Sequence, residues 1–302
     1  MGKFNGHFFP GLYLFYHGLH QAAMVSNALT SGNHIQQPVR APRSQGRWAW
    51  LWTVSYTGVL KTVAGLTLTL YVVFCLDDGM VLMDRGLPPR FMYPQEWQHL
   101  TMFTLLALLG CVELVSKHLL PYRCLALEQG ALALSFHELL LLLASHVKES
   151  SGVELQVHIL LILVVLLLVL VLTAQLWAPH TCCLRVIQTF LFLLMGSWLM
   201  QAGFILYRPV SGYPWQDDDI SDIMFVTTFF CWHVMGDALC LLGVHGLSLL
   251  WLRCRSLGLK PSPVGAPGPH YVLLREGARS EREEQALLVQ MQPETGPGLP
   301  RP

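Results

Sequence analysis

Charge is what this chain has least of. Only 13% of its 302 residues are Asp, Glu, Lys or Arg, and 53% are hydrophobic, whereas ordinary soluble domains carry roughly 25% charged residues. That shortage excludes a single water-soluble globule, because there is too little polar surface to cover so much apolar chain. Lys and Arg number 19, as do Asp and Glu, so no excess of either sign points to nucleic acid or to an acidic substrate. No Asn-x-Ser/Thr sequon occurs, which excludes N-glycosylation. Strand-like alternation is missing, which excludes a barrel. Gly-rich phosphate loops, paired catalytic carboxylates and a recognisable Ser/His/Asp triad are missing too, so no nucleophile can be nominated.

What is present is long apolar runs. A helix crossing the hydrocarbon needs about 20 of them in succession, and suitable stretches lie at about Phe8–Leu29, Trp48–Cys75, Trp97–Val115, Cys124–His146, Leu155–Trp177, Leu184–Tyr207 and Ile223–Leu252. The expected fold is an all-α polytopic membrane protein with seven transmembrane helices, since helices close their backbone bonds internally. His17 and His20 interrupt the first run, which suits a retained span better than a secretory signal.

The connections fall on two sides. One holds Arg40, Arg43, Arg47, Lys117, Arg123, Arg185, Arg253, Arg255 and Lys260; the other holds Lys3, Arg85, Arg90, Lys148 and Arg208. The richer side is expected to be cytosolic, which puts the amino terminus outside, the carboxyl terminus in the cytosol and the acidic run Asp217, Asp218, Asp219 and Asp222 outside. Of eight cysteines only Cys75 then nears the outer surface, so no outer disulfide framework forms, and Cys124, Cys182, Cys183 and Cys254 at cytosolic helix ends stay reduced or are palmitoylated.

Two domains follow: a seven-helix transmembrane domain over 1–252 and a disordered cytosolic tail over 253–302, rich in proline and glycine and without a spanning run. Within the tail, Tyr271-Val272-Leu273-Leu274 fits a tyrosine sorting signal and Glu283 with Leu287-Leu288 an acidic dileucine signal, which would engage sorting adaptors in extended form. The plain alternative is a short amphipathic helix over 278–290.

The costliest residues are polar groups written among leucines. Counting about 1.5 Å per residue from the helix ends puts His99 and His146 near the outer surface, His158 in the first turns of span five, Gln201 two turns from the end of span six, His137 and Glu138 roughly 12–14 Å deep, and His233 some 18 Å deep. His99, His137, Glu138, His146, His158, Gln201 and His233 are thus expected to share the outer half of the membrane. Such groups usually face a protein interior or a wet cavity. They admit a hydrogen-bonded network, a zinc or iron site (or haem) using His137, Glu138, His158 and His233, or a proton-linked pathway. The network is favoured, because adjacent His137 and Glu138 point about 100° apart and no pair has the two-histidine i, i+4 spacing. Lys61 and Asp237 count to about 20 and 22 Å from their cytosolic ends, and are expected to meet as an ion pair.

Asn5-Gly6-His7 with Pro10-Gly11, Glu96-Trp97-Gln98-His99 before Thr101-Met102, Gly196-Ser197-Trp198 with Gln201 and Gly203-Phe204, and Phe230-Cys231-Trp232-His233 resemble the signature blocks of the transmembrane protein 45 family, in its transmembrane epididymal protein branch. The resemblance covers residues 1 to about 255. It implies a seven-helix integral membrane protein with a retained first helix and no recognised enzymatic activity, and it matches His7, His99, Glu138, His146, His158, Trp198, Gln201, Trp232 and His233. Where relatives have further histidines around the fourth and fifth helices this chain has Lys148 and Gln156, so a metal site in the family would be depleted here. Asp237 and the Leu-rich fourth span also depart from the family pattern.

The reading for function is a non-enzymatic multi-pass protein of the secretory or endosomal membranes or the plasma membrane, engaged in trafficking, scaffolding or small-solute handling, with no cofactor expected. The alternative is a metal-binding membrane hydrolase or metal handler. A proton-coupled carrier using Lys61, Asp237 and His233 is a third reading, weakened by the lack of inverted repeats.

Overall fold

A computed structural model of the chain describes residues 4–30, 55–74, 81–84, 86–120, 124–216 and 218–258. The expected sorting signals at Tyr271, Leu274, Glu283, Leu287 and Leu288, like Cys75, lie outside these residues. Among the described residues there are seven α-helices: α1 Phe4–Thr30, α2 Tyr56–Phe74, α3 Pro94–His118, α4 Leu125–His146, α5 Gly152–Trp177, α6 Cys182–Tyr207 and α7 Ile220–Gly258. The last helix continues six residues past 252, where the tail was expected to begin. Six of the seven are long and apolar enough to cross a membrane. At 27 residues α1 has the length, but His7, His17, His20 and Gln21 dilute its apolarity.

Without a hydrophobic drive between helices in lipid, close packing through small residues decides which helices pair. Two seams show this. On α1, a Cβ at Gly11 would stand 2.7 Å from the Met200 backbone nitrogen, and one at Gly18 would stand 2.9 Å from that of Leu193; on α6, one at Gly196 would reach to 2.7 Å from the Phe15 Cα. The α1–α6 seam is finished at one end by Phe4 edge-on to Phe204 and by the Arg208 guanidinium 4.5 Å over the Phe4 ring. The second seam joins α2 to α3: a Cβ at Gly65 would lie 2.7 Å from the Phe103 carbonyl oxygen, and one at Gly110 the same distance from that of Gly58.

Helix α5 joins the remaining helices. Val157, Val165 and Leu168 are fully buried in it, and it packs on both α4 and α6, while α4 in turn meets α3. Helix α7 lies against α5 through Gln156, whose Nε2 donates to Thr227 Oγ1 (2.8 Å), and against α6 through Trp198 and Phe230, edge to face at 5.0 Å. Among the described residues, α1 and α2 do not pack on each other. The first two described helices belong to different pairs.

Candidate functional site

The space between the two seams is a cavity of about 500 Å³. Six helices wall it: α1 with Gly6, His7, Pro10 and Tyr13, α2 with Ala64 and Thr67, α3 with His99, Leu106 and Leu109, α4 with Phe136, Leu139 and His146, α5 with His158 and Leu161, and α6 with Met195 and Leu199. The lining contains no Asp, Glu, Lys or Arg. A smaller pocket of about 270 Å³ shares Gly6, Phe9, Pro10, Thr67, Leu68, His99 and Phe103 with it, and extends to Tyr71 and Val72 on α2. This extension lies where α1 and α2 fail to meet, so the cavity continues toward the flank of the bundle.

Polar groups concentrate at one end, where α1, α3 and α5 begin and α4 and α6 finish. His99 and His146 meet edge to face at 5.9 Å, His146 and His158 are 5.5 Å apart, and His7 is 6.0 Å from His158 and 5.3 Å from Tyr207. Each of the first three rings has its Nδ1 engaged by an oxygen that can only accept: Gln95 O for His99 (2.6 Å), Gln98 Oε1 for His146 (3.0 Å) and Glu154 O for His158 (2.8 Å). The proton is therefore on Nδ1 in all three.

The other members of the expected cluster are elsewhere. His137 faces out of the bundle and donates back to the Ala133 carbonyl oxygen (2.7 Å). Glu138 and Gln201 are half-buried, away from the cavity lining, and make no hydrogen bond among the described residues. His233 sits against Trp198 (5.7 Å) and Phe229 (5.3 Å), and Trp198 is fixed by its Nε1 donating to the Val157 carbonyl oxygen (3.1 Å). The set His137, Glu138, His158 and His233 is accordingly not assembled, and no group of three or more His, Cys, Asp or Glu among the described residues is placed to hold a metal ion. The reason is angular. Counting along a helix yields height, and successive residues leave the axis about 100° apart.

The expected Lys61–Asp237 pair is also corrected. Lys61 Nζ lies 2.9 Å from Glu113 Oε2, and the same carboxylate accepts from Ser55 Oγ (2.5 Å) and from Thr57 Oγ1. Helix α2 begins at Tyr56 rather than at 48, so Lys61 is only about 8 Å along it and level with Glu113, five residues before the end of α3. Asp237 is mid-helix on α7, on the far side of α6. It accepts from Ser197 Oγ (2.6 Å), and since that hydroxyl has given its proton away, His233 Nδ1 donates to Ser197 (3.2 Å). Sequence reading found no Ser/His/Asp set, yet three such residues meet here. Their order is not that of a hydrolase triad, where imidazole takes the serine proton; the chain of bonds braces α6 against α7.

The neighbourhood is shared with known proteins. A family of unknown function, DUF716, matches residues 125–246, which span α4 through most of α7. Transmembrane epididymal protein 1A of Mus musculus is 56% identical, over 96% of this chain and 97% of its own length. Transmembrane epididymal protein 1 of Homo sapiens is 61% identical over 83% of this chain and 95% of its own length. The chain belongs to the transmembrane epididymal protein family. Transmembrane epididymal protein 1 of Rattus norvegicus, 55% identical over 96% of the chain, is of the same kind. Like the family's names, the six long apolar helices make it an integral, multi-pass membrane protein. The α2–α3 seam, the Lys61–Glu113 pair and the α1 half of the first seam lie before residue 125, outside the DUF716 match, while the mouse and rat relatives align over 96% of the chain.

Proposed function

We propose that this family member handles a small apolar solute, without chemistry, by holding it in the intramembrane cavity. The observation that carries the reading is the cavity itself. Its volume of about 500 Å³ lies in the usual range of small-molecule sites, roughly 300–1,000 Å³, its wall is apolar apart from the histidines, Tyr13, Thr67 and Ser135, and it continues into the smaller pocket between α1 and α2. An amphiphile dissolved in the bilayer could pass through that gap without crossing water. Scaffolding alone would not need such a void, which forfeits packing contacts in its lining.

Filling the cavity tests this. Wild-type protein purified in mild detergent is expected to retain a co-purifying small molecule by native mass spectrometry, and Leu106→Trp and Leu139→Trp, each aimed into the void, are expected to lose it while keeping the melting temperature. Equal retention by wild type and both variants would overturn the reading.

The setting proposed for this activity is the secretory or endosomal membranes or the plasma membrane, with the amino terminus outside and adaptors reading the tail from the cytosol. Replacing Tyr271 and Leu287-Leu288 by alanine is expected to move the steady-state distribution of the full chain toward the cell surface in imaging. An unchanged distribution would remove the tail signals.

A further inference from the structure

The polar end of the cavity has a chemical sign. His99, His146 and His158 all spend their Nδ1 protons on oxygens outside the cavity, so each neutral ring has a lone pair, and no proton, left at Nε2. None of these three Nε2 atoms enters a hydrogen bond among the described residues, and none is sealed from solvent-sized contact. All three rings line the void. Pro10 adds to the pattern. It lies inside α1 and has no N–H to give to the carbonyl of Gly6, four residues earlier, and both residues line the same end. Apart from His7, whose ring also lines this end, the pocket head is a set of acceptors: three imidazole nitrogens and a backbone carbonyl relieved of its usual helical partner.

We infer that the ligand is an amphiphile with a neutral hydroxyl head, such as a long-chain alcohol or a sterol, whose O–H donates to the His99–His146–His158 acceptors while its hydrocarbon part fills the apolar remainder. This rests on the cavity being a solute site. Three alternatives fail on the same residues. A carboxylate brings more lone pairs to His99, His146 and His158, three rings that offer it no proton. An ammonium finds acceptors but no counter-charge, since the lining has no Asp or Glu, and an unpaired cation within a membrane protein costs several kcal/mol. A head with no polar atom leaves the acceptors unmet. The hydroxyl satisfies an acceptor and carries no charge.

The experiment uses the full chain in lipid nanodiscs and a photoreactive hexadecanol with its diazirine in mid-chain. Competitors are unlabelled hexadecanol, hexadecanoate and hexadecylamine, under mildly alkaline conditions that ionise the acid. Labelling is expected on cavity residues such as Leu139 or Met195, with hexadecanol competing about tenfold more strongly than the acid or the amine, the value of one hydrogen bond of about 1.4 kcal/mol. His99→Phe and His146→Phe keep a flat ring without the acceptor, and are expected to lose that preference while still admitting the probe. His137→Phe, on the outward face of α4, is expected to keep it. If hexadecanoate or hexadecylamine competes as well as hexadecanol on the wild type, the hydroxyl inference falls and the cavity reading survives. If no probe labels the cavity, both fall. Competition by cholesterol as strong as that of hexadecanol supports the same head chemistry and identifies a sterol as a source.

Discussion

Gly196→Val is expected to destabilise the protein by more than about 3 kcal/mol, at or beyond the upper end of ordinary overpacking. The position allows no relief. A Cβ there would stand 2.7 Å from the Cα of Phe15, and backbone atoms cannot rotate aside as a side-chain tip can. The helices would have to separate, which would also lift Gly11 from Met200 and Gly18 from Leu193 along the same seam. Because apolar contact with lipid is nearly as good as contact with another helix, association depends on close approach, and a small separation gives up most of it. Thermal unfolding in detergent measures the loss. Gly243→Val is the matched comparison: a Cβ on that residue of α7 meets nothing within 4 Å, and the variant is expected to melt like wild type. Similar melting of the two variants would show that the α1–α6 seam is not as tight as described.

Lys61→Met is expected to cost about 3–5 kcal/mol, the usual penalty for leaving one member of a buried ion pair alone. Glu113 would keep its bonds from Ser55 and Thr57, which soften the loss without supplying a positive charge. The decisive quantity is coupling. The double variant Lys61→Met with Glu113→Gln removes both charges and is expected to be more stable than Lys61→Met alone. Lys61→Met with Asp237→Asn, in contrast, is expected to be additive within about 0.5 kcal/mol, since the two residues share no partner. The reverse pattern, with Lys61 coupled to Asp237, would contradict the packing of α2 on α3.

Most of the helical framework was legible in the chain because the signal is redundant: a run such as Ile159–Leu172 tolerates many substitutions before it ceases to read as a span. Which helices touch was not legible, since that depends on glycines such as Gly65 and Gly196 meeting backbone from distant segments. The same gap explains the candidate site. Heights along the helices placed His99, His146 and His158 at similar depth, and the structure joins them in one chain of rings. His137 and His233 also had suitable heights, but face away from the cavity. The Lys61 error had a different origin: an apolar run beginning at 48 hid the true helix start at Tyr56, and a shift of eight residues moves a charge by about 12 Å. Polar groups carried on one helix face, like the i, i+4 pair His233 and Asp237, needed Ser197 from another helix before their arrangement made sense.

The pairing of α1 with α6 bears on how the protein is made. α1 leaves the ribosome well before the α6 backbone it fits, which lies more than 150 residues further on, whereas α2 and α3 can join as soon as both are in the bilayer. In the interval Gly11 and Gly18 of α1 lack the backbone of Met200 and Leu193 that they fit, while His17 already has Gln21 of the same helix as its partner (2.9 Å). Until α6 is made, the cavity lacks the wall that Met195 and Leu199 supply.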